Sequence, residues 1–166
     1  MKTSKKLNKV VAALVAAAAL FTFGACKQHD DDDDDTAATL LLLYAYQHQE
    51  VAKFEATVDE TMGPQTISFV RDGTVSRSFS GSDFYNGTVA TGTYTGDPTK
   101  NGTVKITTKA TSAYINKFVS SYEAAGMDSD TIAAMKEELS KTSTGEVTIS
   151  NSGKTLTSGG IEYTRK

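Results

Sequence analysis

Side chains able to do acid–base, nucleophilic or metal chemistry are few in this chain, and their positions keep them apart. Its 166 residues include one cysteine, Cys26, and two histidines, His29 and His48. From residue 50 onward neither type recurs, so a nucleophile of the Ser-His or Cys-His kind would have no neighbouring base to activate it. No Gly-x-Ser-x-Gly elbow and no phosphate-cradling glycine loop is present. Asp59 and Glu60 are adjacent, so in a strand they would project to opposite faces and make poor acid–base partners. The run Asp30 to Asp35 lacks the spaced ligands and turn glycine of a calcium loop. These residues predict a protein that is not an enzyme, with no cofactor and no metal site. Two groups are left to explain: the thiol of Cys26 and, further on, an arginine at an inward strand position.

The thiol sits at a boundary. Lys2, Lys5, Lys6 and Lys9 precede an apolar run from Val10 to Phe23, and small residues follow. A basic segment, an apolar segment and a small-residue zone make an export signal over residues 1–25. The run of roughly 14 residues is shorter than the roughly 20 needed to span a bilayer. Phe23-Gly24-Ala25-Cys26 resembles the lipobox of bacterial lipoproteins, in which the final cysteine is acylated and becomes the mature N-terminus. The alternative is an ordinary cleavage site with a chance cysteine beside it. The resemblance implies a protein anchored to the cell outer membrane by diacylglycerol and an amide-linked chain such as palmitate at Cys26. Two or more acyl chains anchor stably at about 0.8 kcal/mol per buried methylene. A single thiol in an exported chain also has no disulfide partner, and acylation removes that liability.

Residues 26–49 read as a tether. Adjacent aspartates repel one another and favour a solvated, extended segment from Lys27 to about Thr36. Fully extended, residues 27–49 reach roughly 70 Å. The acidic run serves as a spacer, or as a sorting signal resembling those that follow the cysteine in surface-exposed lipoproteins. The leucine-rich "TLLLLYAYQHQE" at its end is expected to form a short helix or a first strand.

Charge limits the partners. The chain carries 17 Lys and Arg against 20 Asp and Glu, a net charge of −3. With the signal and the acidic run set aside, the remainder is nearly balanced, so no basic surface is expected and no nucleic-acid partner.

From residue 50 to 166 the pattern becomes that of a β domain. Ala52, Phe54, Ala56 and Val58 alternate with Lys53, Glu55 and Thr57, as on a strand with one buried face. Ile67 and Phe69 lead to an Asp72-Gly73 turn and then to Val75 and Phe79, a strong hairpin signature. A long Thr- and Gly-rich strand through Tyr94 is followed by turns at Gly96-Asp97-Pro98 and Asn101-Gly102, and by a strand bearing Val104 and Ile106. Val147 and Ile149, Leu156, then Ile161 and Tyr163 mark three more short strands. Between the fifth and sixth strands, over about residues 111–141, Ile115, Phe118, Val119 and Tyr122 fall at helical spacing. Gly126 is placed as a stop, and Ile132, Met135 and Leu139 form a second apolar stripe.

About eight antiparallel strands with short turns must hide their edges. They do so most simply as an up-and-down barrel with a helical insertion; a β-sandwich is the alternative. "DGTV…GTYTGDPTKNGTVKIT…TLTSGGIEYTRK" resembles the lipocalin-like, or calycin, domains of bacterial lipoproteins. The resemblance implies a barrel able to hold a small hydrophobic or amphipathic ligand, and assigns Arg165 to closing one barrel end. Among inward positions, Arg77 shares parity with Val75 and Phe79; there it must meet a carboxylate, reach the mouth or contact a ligand anion. Arg77, Phe54 and Phe79 are therefore the candidate ligand-binding residues, and Cys26 the candidate lipidation site. The alternative function is a surface structural or interaction module with a filled core and a protein partner.

Overall fold

The computed structural model of the chain describes residues 33–58, 63–81 and 83–166. Cys26, the rest of the signal and early tether, and Asp59 and Glu60 lie outside the described residues. Helix α1 (Asp33–Gln47) and the segment His48–Lys166 are separate units.

Helix α1 corrects one expectation, since it includes Asp33, Asp34, Asp35 and Thr36, which the like-charge run assigned to an extended tether. Leu40, Leu41, Leu42, Leu43 and Tyr44 are exposed. Successive residues turn by about 100°, so α1 presents apolar side chains on every side rather than one stripe.

The second unit is a closed barrel, not a sandwich: β1 (Glu50–Thr57), β2 (Pro64–Val70), β3 (Thr74–Phe79), β4 (Gly87–Thr95), β5 (Gly102–Ala110), β6 (Ser143–Ser150), β7 (Thr155–Ser158) and β8 (Ile161–Arg165) pair in sequence order. Every neighbour is antiparallel, and β8 returns to β1 through Phe54 opposite Arg165 and Glu55 opposite Thr164. Between β5 and β6 stand α2 (Ser112–Ala124) and α3 (Ser129–Leu139), which contact each other.

Alternation along the strands selects the interior. Ala52, Phe54, Ile67, Phe69, Val75, Val104, Val147, Ile149, Leu156 and Tyr163 form one buried cluster. Phe54 and Phe69 meet edge to face with centroids 6.1 Å apart, and Phe69 meets Tyr94 likewise at 5.0 Å. Where β4 crosses β5 the backbones approach closely at Gly92; a Cβ there would lie 1.9 Å from the Thr107 carbonyl oxygen. No larger residue fits without opening that pair.

The barrel ends differ. The β2–β3, β4–β5 and β6–β7 turns gather at one end, and Arg165 ties it together. Its guanidinium donates to the carbonyls of Val51 at 2.9 Å and Gly153 at 3.3 Å. At Asp72-Gly73 the glycine takes φ 88°, and the Asp72 carboxylate accepts from the Thr74 amide at 2.8 Å. Tyr94 donates its hydroxyl to the Val70 carbonyl at 2.8 Å; burial is the main cause raising its pKa.

The opposite end carries the insertion. Asp128 caps α3 by accepting from the Thr131 amide at 2.8 Å. Helix α2 stops at Gly126, φ 79°, where Gly126 and Met127 donate back to the carbonyls of Glu123 and Tyr122. That reversed pair of bonds is a Schellman cap, and a left-handed glycine forms it without strain.

Candidate functional site

Strand β3 sets the site. Arg77 lies across from Ile67 on β2 and Ala90 on β4, so it belongs to the inward file with Val75 and Phe79. Beyond it the register with β4 slips: Arg77 faces Ala90 but Ser78 faces Thr88, leaving Val89 as an extra residue. Such a bulge bends the strand and re-aims its groups. Here the insertion is fastened: the Thr111 amide donates to the Val89 carbonyl at 2.9 Å, and its hydroxyl donates to the Thr88 carbonyl at 2.8 Å. Thr111 is also the N-cap of α2, so one residue joins helix start to barrel wall.

Inside the barrel, Gln65 is 5% exposed and links two neighbours. Its Oε1 accepts from the Arg77 Nη2 and, at 3.1 Å, from the Tyr163 hydroxyl. The Nε of Arg77 is buried and meets no acceptor among the described residues. No described carboxylate lies within 4.0 Å of its guanidinium; pairs among the described residues, such as Lys100–Asp97, Lys141–Glu138 and Lys166–Glu55, form elsewhere. A cation on an inward strand position is thus held by one neutral partner, Gln65.

Aromatic side chains flank this end. Phe84 meets Tyr114 at 6.5 Å and Phe118 at 6.3 Å, Tyr85 meets Tyr114 at 5.3 Å, and Phe118 meets Tyr122 at 4.6 Å. The β3–β4 connection and α2 are thereby clasped together, with these rings half-buried. Burial pushes the Tyr114 hydroxyl above the ordinary phenol range, and the charge of Arg77 acts in the opposite direction.

The residues singled out by sequence separate. Phe54 is fully buried in the apolar cluster beside Phe69. Phe79, 7% exposed, stands outside that cluster, opposite Gln65 and Gly87. Arg77 stands between the two, opposite Ile67 of the cluster and bonded to Gln65. Gln65 and Tyr163 were missed as polar partners, although the parity of "QTISF" puts Gln65 on the same face as Ile67 and Phe69. The clasp was missed because Phe84 and Tyr85 fall in no periodic segment.

Among the described residues no group of three or more His, Cys, Asp and Glu could hold a metal ion, and no helix is long and apolar enough to cross a membrane. What the geometry defines is a closed eight-stranded antiparallel barrel with a helical insertion at one end and a part-buried arginine at an inward strand position. The chain matches no protein-family model, no curated protein and no solved structure.

Proposed function

We propose that this is a non-enzymatic lipoprotein of the cell envelope, anchored at the outer membrane through acylated Cys26, whose lipocalin-like barrel binds a small hydrophobic or amphipathic ligand. The observation that carries the ligand reading is the division of the interior. Phe54, Phe69 and their neighbours fill one half with apolar side chains. Toward the other end stand Gln65 and the part-buried Arg77, and the half-buried aromatics of the β3–β4 connection and α2 flank that end. The buried Nε of Arg77 has no acceptor among the described residues, and leaving a buried donor unsatisfied is costly to a barrel with a purely structural role.

The filled half favours a second reading, a surface interaction module that meets a protein through its outer face or its insertion. Native mass spectrometry of residues 48–166 separates the two. That segment contains all eight strands and the whole apolar cluster, so it carries its own core. A stoichiometric extra mass in a sample purified without detergent, lost on organic extraction, supports a carrier. A bare polypeptide mass after incubation with an envelope lipid extract would reject it in favour of the interaction module.

A further inference from the structure

We infer that helix α1 is itself a membrane contact: its leucine-rich turns immerse in the surface of one leaflet of a bilayer with neutral headgroups. This goes beyond the ligand reading and does not need Cys26 to be acylated.

The directions of the apolar side chains carry it. Leu40, Leu41, Leu42, Leu43 and Tyr44 are all exposed, from 47% at Leu43 to 68% at Leu41. At about 100° per residue, four consecutive leucines point to four sides of the helix. A groove on a protein, or one neighbouring helix, covers a single stripe and would leave leucines on the far side in water. A medium that surrounds the helix covers them all. Single exposed apolar residues are ordinary, whereas a contiguous cluster marks a surface made for contact.

Length sets the depth. Leu40 to Tyr46 rises about 10 Å, one third of a hydrocarbon core roughly 30 Å thick. The segment is too short to cross, in keeping with the lack of a spanning helix among the described residues. It matches the depth of about 5–10 Å at which interfacial helices lie. Tyrosine, with an apolar ring and a polar hydroxyl, suits the membrane–water boundary, and Tyr44 and Tyr46 stand in the last turn of α1.

Charge argues against a second copy of the chain as the occupant. Parallel α1 helices would bring two runs of Asp30 to Asp35 side by side, and an antiparallel pair again covers one stripe. The same run selects the lipid. From Asp30 to Ala52 the chain has no Lys or Arg, so nothing draws this segment to anionic headgroups and the aspartates oppose them. Residues 27–32, which reach roughly 20 Å when extended, are all that separates Cys26 from α1. An acylated Cys26 would therefore hold α1 at the bilayer surface.

The test uses residues 27–166, which contain α1 and the barrel with its own core but no cysteine. Ala45→Cys then carries one environment-sensitive dye on α1, and Thr148→Cys, exposed on β6, carries it on the barrel as the control. Phosphatidylcholine vesicles should shift the α1 dye to shorter wavelength and leave the barrel dye unchanged. Half-saturation is expected near about 0.1 mM lipid, a reversible partition like that of one acyl chain. Contact this weak does not carry the chain through a washed membrane pellet, so fractionation of Cys26→Ser tests the lipid anchor separately. Leu40→Ser, Leu41→Ser, Leu42→Ser and Leu43→Ser should each raise half-saturation about 10-fold, whichever side of the helix they occupy. Phosphatidylglycerol vesicles should bind at least about 5-fold more weakly, the factor for one charge near an anionic surface, and added salt should close the gap. Tighter binding to phosphatidylglycerol would place the contact on basic groups of the barrel and overturn the inference. A loss confined to leucines on one side of the helix would do the same, because it is the mark of a protein groove. A dye shift without lipid that grows with protein concentration would give the helix to a second copy, and no shift with either vesicle would remove the membrane contact altogether.

Discussion

Phe54→Ala should be among the most damaging single changes to the barrel. Phe54 is fully buried, meets Phe69 edge to face at 6.1 Å and sits on β1 where the sheet closes. The β1–β8 seam has two registered residue pairs, one of them Phe54 with Arg165, while β1 and β2 share seven. Truncating a buried phenylalanine costs about 3–5 kcal/mol, the larger values arising where the site cannot collapse. A rigid closed sheet offers little collapse, so we expect about 4 kcal/mol, a large share of the 5–15 kcal/mol typical of a whole domain. At roughly 4 °C per kcal/mol for a domain of this size, the thermal midpoint should fall by about 15 °C. Urea unfolding of residues 48–166, followed by circular dichroism and tyrosine emission, measures it directly, because the chain has no tryptophan. The slope against urea should stay constant. A cycle with Phe69→Ala should show a coupling of about 0.5–1.5 kcal/mol from the ring pair. A cost below about 1 kcal/mol at unchanged slope would refute the picture of a filled half, and would mean that ligand could reach as deep as Phe54.

Gly92→Ala should prevent or weaken β4–β5 pairing, since its Cβ would sit 1.9 Å from the Thr107 carbonyl oxygen. Overpacking of this kind costs about 1–3 kcal/mol or more, and a wild-type unfolding midpoint in the variant would contradict the close approach. The Asp97 carboxylate, bonded first by Lys100 and then by Thr99, is lowered to about 2 from 3.8. Its contribution to stability is therefore complete above the unfolded value and is lost as pH falls toward the folded one. Because the Lys100 pair is exposed the effect should stay under about 1 kcal/mol; Asp97→Asn should flatten that stretch of the pH–stability curve, and an unaltered curve would argue against the turn. Cys26→Ser should release the protein from the membrane fraction, and unchanged pelleting would defeat the lipid anchor. Replacing Asp30 to Asp35 with Asn should leave anchoring intact while shielding the barrel from external protease, if the run sorts the protein outward. Equal cleavage in both forms would make it a spacer.

Much of the barrel is legible in the sequence, and the reason is local. Alternation in "EVAKFEAT" and "GEVTIS", with left-handed glycines at Gly73 and Gly160, specifies strands and turns through neighbours a few residues apart. Closure follows from the need to hide edges, and the insertion from a change of period at Tyr114. Three features escaped because they depend on relations the pattern does not encode. Asp33, Asp34 and Asp35 belong to α1, against the simple expectation from like-charge repulsion. The slip at Val89 is a two-strand event, invisible in either strand alone, yet it fixes where Thr111 grips the wall and hence where α2 and its aromatics stand. The pairing of Arg77 with Gln65, and of Gln65 with Tyr163, joins β3 to β2 and β2 to β8 across 98 residues of sequence. An inward arginine could be read from parity, but its environment could not. That environment carries the functional weight, because the same residue facing a carboxylate would be a structural ion pair, whereas a neutral partner leaves it with charge to offer.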